Sequence, residues 1–161
     1  MISIDPGVGG TGYAVWEQSE VFTTANLLTF GTLHFKTGQT EWLEKAQTIT
    51  GLLEHLMAEH PLKMFVIEYP NFMQGSGGRM VAASGDLVKL SVLTGMLINV
   101  GSRQCRTIRL VSPNEWKGQL PKSVTASRIK RTMGWTSKQT LKPSDHALDA
   151  IGIGLWAQGR F

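Results

Sequence analysis

A chain of 161 residues, 42% of them hydrophobic, has the length and apolar content of a folded domain, which excludes a largely disordered polymer. Its net charge of +4 and pI near 9.4 admit a polyanionic partner without naming one. The single cysteine, Cys105, excludes an intramolecular disulfide and a thiolate zinc cluster.

No repeat, low-complexity tract or linker divides the sequence, so residues 1–161 read as a single domain. The start reads as a strand Met1–Ile4, a turn Asp5–Gly10, a strand Thr11–Glu17 and a third strand near Leu28–Phe35. Gly7, Gly9 and Gly10 are expected to supply the positive-φ conformations of a tight strand-to-strand turn. No basic leader or long apolar run opens the chain, so no signal peptide is expected. Together with the lone cysteine this points to a reducing cytoplasm, bacterial or that of a host cell if the source is viral.

Leu43, Ala46, Ile49, Leu53, Leu56 and Met57 recur at helical spacing and predict a helix from Thr40, its N-cap, to His60, with Pro61 as the stop. Lys63–Tyr69 is an apolar run too short for a helix and reads as a buried strand. Pro70–Met80, with Gly75, Gly77 and Gly78, reads as a loop. The next helix, Ala83–Val100, is apolar nearly all round: Leu87, Val88, Leu90, Val92, Leu93, Met96, Leu97 and Ile98. One face should cover the sheet, and the excess suits either a seam between two copies or burial within one. Lys89, Ser91, Thr94, Gly95 and Asn99 interrupt it, so no membrane span is expected.

A strand Thr107–Val111 follows. Ser112-Pro113-Asn114-Glu115 is a capping-box pattern that opens a helix. Further helices are predicted over Val124–Met133 and from Ser144 to about Gln158. The order describes an α/β fold whose mixed sheet opens with an antiparallel meander and continues by parallel crossovers.

The acids are placed suggestively. Four aspartates occur in the chain, Asp5, Asp86, Asp145 and Asp149. Asp5 ends the first strand, Glu68 ends the apolar run, and Asp145 and Asp149 lie four apart on one face of the last helix. Each has an ordinary explanation except Asp149. Asp5 suits an Asx-turn, Glu68 a salt bridge, and Asp145 a helix N-terminus, but Asp is a poor residue inside a helix. Together these acids can converge at one end of a sheet, as an oxygen-ligand set for two Mg²⁺ ions, with Mn²⁺ able to substitute, acting on a phosphodiester. From Lys117 to Lys142 the chain carries Lys117, Lys122, Arg128, Lys130, Arg131, Lys138 and Lys142 and no acid, a charge of +7 that leaves −3 on the rest. A one-sided basic segment beside such acids reads as a surface for a nucleic-acid backbone, against the ordinary reading of a solvated Lys-rich face.

Three motifs in register resemble those of the RuvC-type Holliday-junction resolvases: Ile4-Asp5-Pro6-Gly7 with Thr11-Gly12-Tyr13-Ala14, then Ile67-Glu68 with Phe72-Met73, then His146-Ala147-Leu148-Asp149-Ala150-Ile151. The resemblance spans almost the whole chain. It implies an RNase H-like fold with a central mixed five-stranded sheet flanked by helices. It further implies a homodimer through the helix Ala83–Val100 and paired two-metal cuts across a four-way DNA junction. By position it assigns Asp5, Glu68, His146 and Asp149 to catalysis and metal binding, and Phe72 to stacking on bases at the crossover. Lys117 and Lys122 fall where the family has basic residues near the scissile phosphate. Arg79, Arg128, Lys130 and Arg131 complete the expected DNA contacts.

Asp145 and His146 compete for one place. Both spacings reach the same helical face, so helix geometry does not choose. Mg²⁺ chemistry favours Asp145, and register with the family favours His146, which can bind metal as neutral imidazole or deprotonate water. The reading adopted is His146, with Asp145 as the alternative. Asp-Pro-Gly followed by Gly-Thr-Gly also resembles the phosphate hairpin of actin-like ATPases and sugar kinases, but those need two such domains and this chain has room for one. A ribonuclease H, a transposase-like nuclease, or an inactive DNA-binding module of the same fold are the remaining alternatives.

Overall fold

Alternation along the first strand decides the architecture. In β1 (Ile2–Asp5) the side chains of Ile2 and Ile4 leave one face, and those of Ser3 and Asp5 leave the other. All four residues are buried, so both faces must be covered and the strand must be central. The structure, a computed structural model, describes residues 1–17, 27–35, 41–70, 85–135 and 142–161. In it β1 lies at the centre of a five-stranded sheet with β2 (Thr11–Trp16), β3 (Leu27–Leu33), β4 (Met64–Glu68) and β5 (Thr107–Val111), in the order β3-β2-β1-β4-β5. The β1–β2 and β2–β3 pairs are antiparallel, and β1–β4 and β4–β5 are parallel. The meander and crossovers expected from the element order are both present.

The first face carries Ile2, Ile4, Val15, Phe65 and Ile67 under α1 (Trp42–Ala58) and α2 (Asp86–Gln104). Ala46, Ile49, Leu53 and Met57 of α1 and Leu93, Leu97 and Val100 of α2 close this core. The second face carries Met1, Ala14, Trp16 and Val66 under α5 (Asp145–Ala157). Around it pack α3 (Pro113–Trp116) and α4 (Lys122–Thr132), through Trp116 and Ile129.

Element limits differ from the sequence expectations by a few residues where chain ends fray. The first helix starts one turn-residue later than Thr40 would place it, with Glu41 at the N-cap making no side-chain bond; Thr40 itself lies outside the described residues. The expected start of the second helix at Ala83 also lies outside them. The role assigned to the glycines of the first turn is corrected. Gly7, Gly9 and Gly10 do not adopt positive φ. Gly7 is small for another reason: a β-carbon there would collide with the Gly10 carbonyl across the turn and stand 2.6 Å from Cε1 of His146. Gly12, opposite Asp5 in the β1–β2 ladder, likewise admits the backbone of His146 and Ala147, where a β-carbon would stand 2.9 Å from the Ala147 nitrogen. The glycines let the last helix approach the end of β1.

Candidate active site

Strand register sets the first two acids. Ile4 is the parallel partner of Ile67, so the next residues, Asp5 and Glu68, leave adjacent strands at one level and on the second face. The last helix supplies the others. Ser144 caps it by accepting a hydrogen bond from the Ala147 N–H at 3.1 Å, which fixes where the first turn begins. Its position on the sheet is set by Ser3, whose Oγ donates to the Ala150 carbonyl at 2.7 Å and accepts from Trp16 Nε1 at 2.9 Å. This buried linkage joins β1 two residues from Asp5 to α5 one residue from Asp149.

His146 Nδ1 lies 2.6 Å from Asp5 Oδ2. The hydrogen bond to Asp5 raises the imidazole's pKa, outweighing the opposite effect of burial. The ring is therefore held in its protonated form more readily than a free histidine. Asp145, one residue earlier, turns away from Asp5 and pairs with Lys122 at 2.7 Å, both side chains largely exposed. That bond lowers the Asp145 pKa and raises that of Lys122. Of the two competitors, His146 is the one in contact with Asp5.

Glu68 and Asp149 share one counter-ion. Lys117 Nζ stands 3.8 Å from Glu68 Oε2 and 3.5 Å from Asp149 Oδ2. Burial pushes the Glu68 carboxyl up to about 7, and the negative charge of Asp5 adds to it despite Lys117 and a hydrogen bond from Trp116. Burial also raises the Asp149 carboxyl. The local physics is that of an anionic cluster taken out of water with one ammonium to balance it. The salt bridge that sequence allowed for Glu68 is thus present, with Lys117, and it lies inside the acidic set.

The donor chemistry fits a hard divalent cation: carboxylates from two strand ends and a helix, one imidazole, and more negative charge than the local cations balance. The side chains as they lie are drawn to Lys117 and to one another. Among the described residues no three His, Cys, Asp or Glu side chains stand close enough together to hold one ion. Asp5, Glu68, His146 and Asp149 would be the holders, with Lys117 and the His146–Asp5 contact giving way.

A cleft beside Asp149 is lined by Lys117, Leu120, Lys122 and Thr125. Arg128, Lys130 and Arg131 are exposed on α4, the helix that carries Thr125. Phe72, Arg79 and Lys138 lie outside the described residues. One participant, Trp116, escaped sequence reasoning, as did the inward pairing of Lys117. Trp116 donates its indole N–H to Glu68 Oε2 at 2.5 Å, and Lys117 faces carboxylates rather than solvent alone. The available signal was their place just after a capping box following the strand next to Glu68.

No family model and no curated protein matches the sequence. Solved structures do match in shape. Thermus thermophilus RuvC in complex with a Holliday junction substrate superposes with a TM-score of 0.70 at 16% identity, over 99% of this chain and 97% of that one. The Thermus thermophilus RuvC structure gives 0.65 at 17% identity, over 96% and 91%. The fold is the RuvC fold. The yeast mitochondrial Holliday junction resolvase Ydc2 shares it at a TM-score of 0.55 and 14% identity, over 99% of this chain and 82% of that one. The RNase H-like sheet expected from the sequence resemblance is thus the one observed.

Proposed function

We propose that this protein is a crossover junction endodeoxyribonuclease, a homodimer that resolves four-way DNA junctions by divalent-metal-dependent phosphodiester hydrolysis in the cytoplasm. The observation that carries the reading is the gathering of Asp5, Glu68, His146 and Asp149 at one end of one sheet face, on a RuvC fold. Bound Mg²⁺, two ions per site with Mn²⁺ able to substitute, would supply Lewis acidity toward the phosphodiester and the attacking water. Asp5, Glu68 and Asp149 supply oxygen ligands, and the strand register fixes the first two relative to each other. His146, as neutral imidazole, would act as a ligand or take a proton from water at its ring nitrogen. Lys117, released from Glu68 and Asp149, offers its ammonium to a phosphate beside Lys122. Arg128, Lys130 and Arg131 on α4 neutralise the flanking backbone, with Arg79, and Phe72 stacks at the crossover. Val88 and Val92, exposed on α2, offer the seam to a second copy.

A second reading, an inactive DNA-binding module, is favoured by one observation: the Lys117 ammonium is ion-paired with two of the four proposed ligands, Glu68 and Asp149. The deciding experiment mixes the protein with a synthetic four-way junction or a linear duplex, in Mg²⁺ or EDTA. Paired nicks in opposed junction strands, little cutting of duplex and none in EDTA are expected. Equal cutting of duplex, or cutting in EDTA, sinks the proposal; junction binding without cutting in either Mg²⁺ or Mn²⁺ assigns the binding-module role.

A further inference from the structure

Glu68 sits at a strand end, where a carboxylate is free to turn about its terminal bond. What holds it is an indole. Val111 is the partner of Glu68 across the β4–β5 ladder, and the chain turns immediately into α3 through the Ser112–Glu115 capping box. That box fixes the first turn, and Trp116 follows one residue later, bringing Nε1 to within 2.5 Å of Glu68 Oε2. The ring is seated from several directions and is 2% exposed. Gly152 of α5 forms its floor, where a β-carbon would stand 2.5 Å from Trp116 Cζ3. Phe161 meets it edge-on with centroids 5.4 Å apart, and the Lys117 ammonium lies 4.7 Å from the ring centre.

We propose that Trp116 is a positioning residue: its clamped indole N–H fixes the Glu68 carboxylate by Oε2 and so sets the site's affinity for a divalent cation. An indole nitrogen donates and does not accept, so it can orient a carboxylate without competing for the cation. Among the described residues no hydrogen bond reaches Oε1, so the indole holds the carboxylate by one oxygen and leaves the other without a competing donor. A donor behind a metal-binding carboxylate removes the alternative orientations that a cation would otherwise have to freeze. The role rests on the nuclease reading given above.

The test compares wild type with Trp116→Phe, which keeps an aromatic ring in the slot and removes the N–H. Mn²⁺ binding without DNA is read by electron paramagnetic resonance, and single-turnover junction cleavage is read against Mn²⁺ concentration. Trp116→Phe should weaken Mn²⁺ binding about tenfold and slow cleavage at limiting metal. Excess Mn²⁺ should recover most of the rate, and the junction Kd should be unchanged. Gly152→Ala, which displaces the ring while leaving its N–H in the protein, should shift Mn²⁺ affinity the same way. Should Trp116→Phe fail to fold, Gly152→Ala decides. Wild-type Mn²⁺ affinity in whichever variant folds overturns the proposal and leaves the nuclease reading standing. Rapid solvent exchange of the Trp116 indole proton in wild type overturns it as well. Absence of Mn²⁺ binding by wild type overturns the nuclease reading, and this role falls with it.

Discussion

The two faces of the sheet are built from alternate residues of the same strands and follow opposite rules. Ile2, Ile4, Phe65 and Ile67 look toward α1 and α2 into a core that buries no charged residue among the described residues. Ser3, Asp5, Val66 and Glu68 look toward α5, where apolar packing through Trp16, Ile151 and Leu155 gives way at one end to buried carboxylates. The first face contributes stability by removing apolar surface from water. The second gives some of that up, because a buried anion without full compensation is costly. Difference between faces, more than the acids one by one, sets the second apart as the candidate site.

The largest expected effect falls on the second face. His146→Ala should lower junction cleavage by about a hundredfold or more while sparing junction binding, a loss in the range of general acid–base and ligand contributions. His146→Asp should retain substantial Mg²⁺-dependent activity, and Asp145→Asn should lose less than tenfold, about 1.4 kcal/mol. Single-turnover rates on a labelled junction check all three. A dead Asp145→Asn beside an active His146→Ala would transfer the role to Asp145. On the first face the same kind of change should affect folding alone. Leu97→Ala and Leu53→Ala, both fully buried, should each cost about 2–5 kcal/mol in denaturant unfolding and leave the rate per folded molecule unaltered.

Much of this contrast was legible in the sequence. The glycine-rich turn after Asp5 and the shortness of the apolar run ending at Glu68 marked the strands, and the helical spacing of Leu43 to Met57 marked α1. The acids announced themselves by being out of place: Glu68 closing an apolar run, and Asp149 inside a helix. The rest depends on tertiary distances that spacing does not encode. Nothing local says that Lys122 meets Asp145, that Lys117 turns inward, or that Trp116 bonds to Glu68. The glycines of the first turn were misread for the same reason. None has a positive φ: Gly7 is small because the Gly10 carbonyl and the His146 ring crowd it, and Gly10 because Thr32 and His34 do.

The pH dependence of the metal-free protein sharpens the comparison. Glu68 and Asp149 have raised pKa values because of burial, and His146 because of its bond to Asp5. A raised folded pKa, for acid or imidazole, means stability present at low pH and lost as pH rises through the folded value. In EDTA the protein should therefore become less stable between about pH 5 and pH 8, with Glu68 alone contributing about 2–3 kcal/mol. Glu68→Gln should remove much of that slope and be the more stable protein at pH 8. A flat stability profile, or a destabilised Glu68→Gln, would show that the carboxylate is structurally satisfied. With metal present the sign inverts: cleavage at limiting Mg²⁺ should rise over the same interval, since the ligands must lose protons to bind.

Smaller effects are expected away from the buried acids. Replacing Lys130 and Arg131 by Gln should flatten the dependence of log junction affinity on log salt by about 2, as two phosphate contacts are lost. An unchanged slope would return α4 to the status of a solvated face. Phe72→Ala should slow junction cleavage about tenfold, with less unstacking of 2-aminopurine placed at the crossover.

The central claim is that the acidic end of the second face performs metal-dependent chemistry on a bound junction. Single-turnover assays of wild type and Asp5→Asn, with bound and cut junction counted in the same Mg²⁺ reaction, test it most directly. The account predicts equal binding by the two proteins, with opposed-strand cuts made by wild type and none by Asp5→Asn. Undiminished cutting by a folded Asp5→Asn, or its loss of junction binding, would contradict it and leave Asp5 a structural partner of His146.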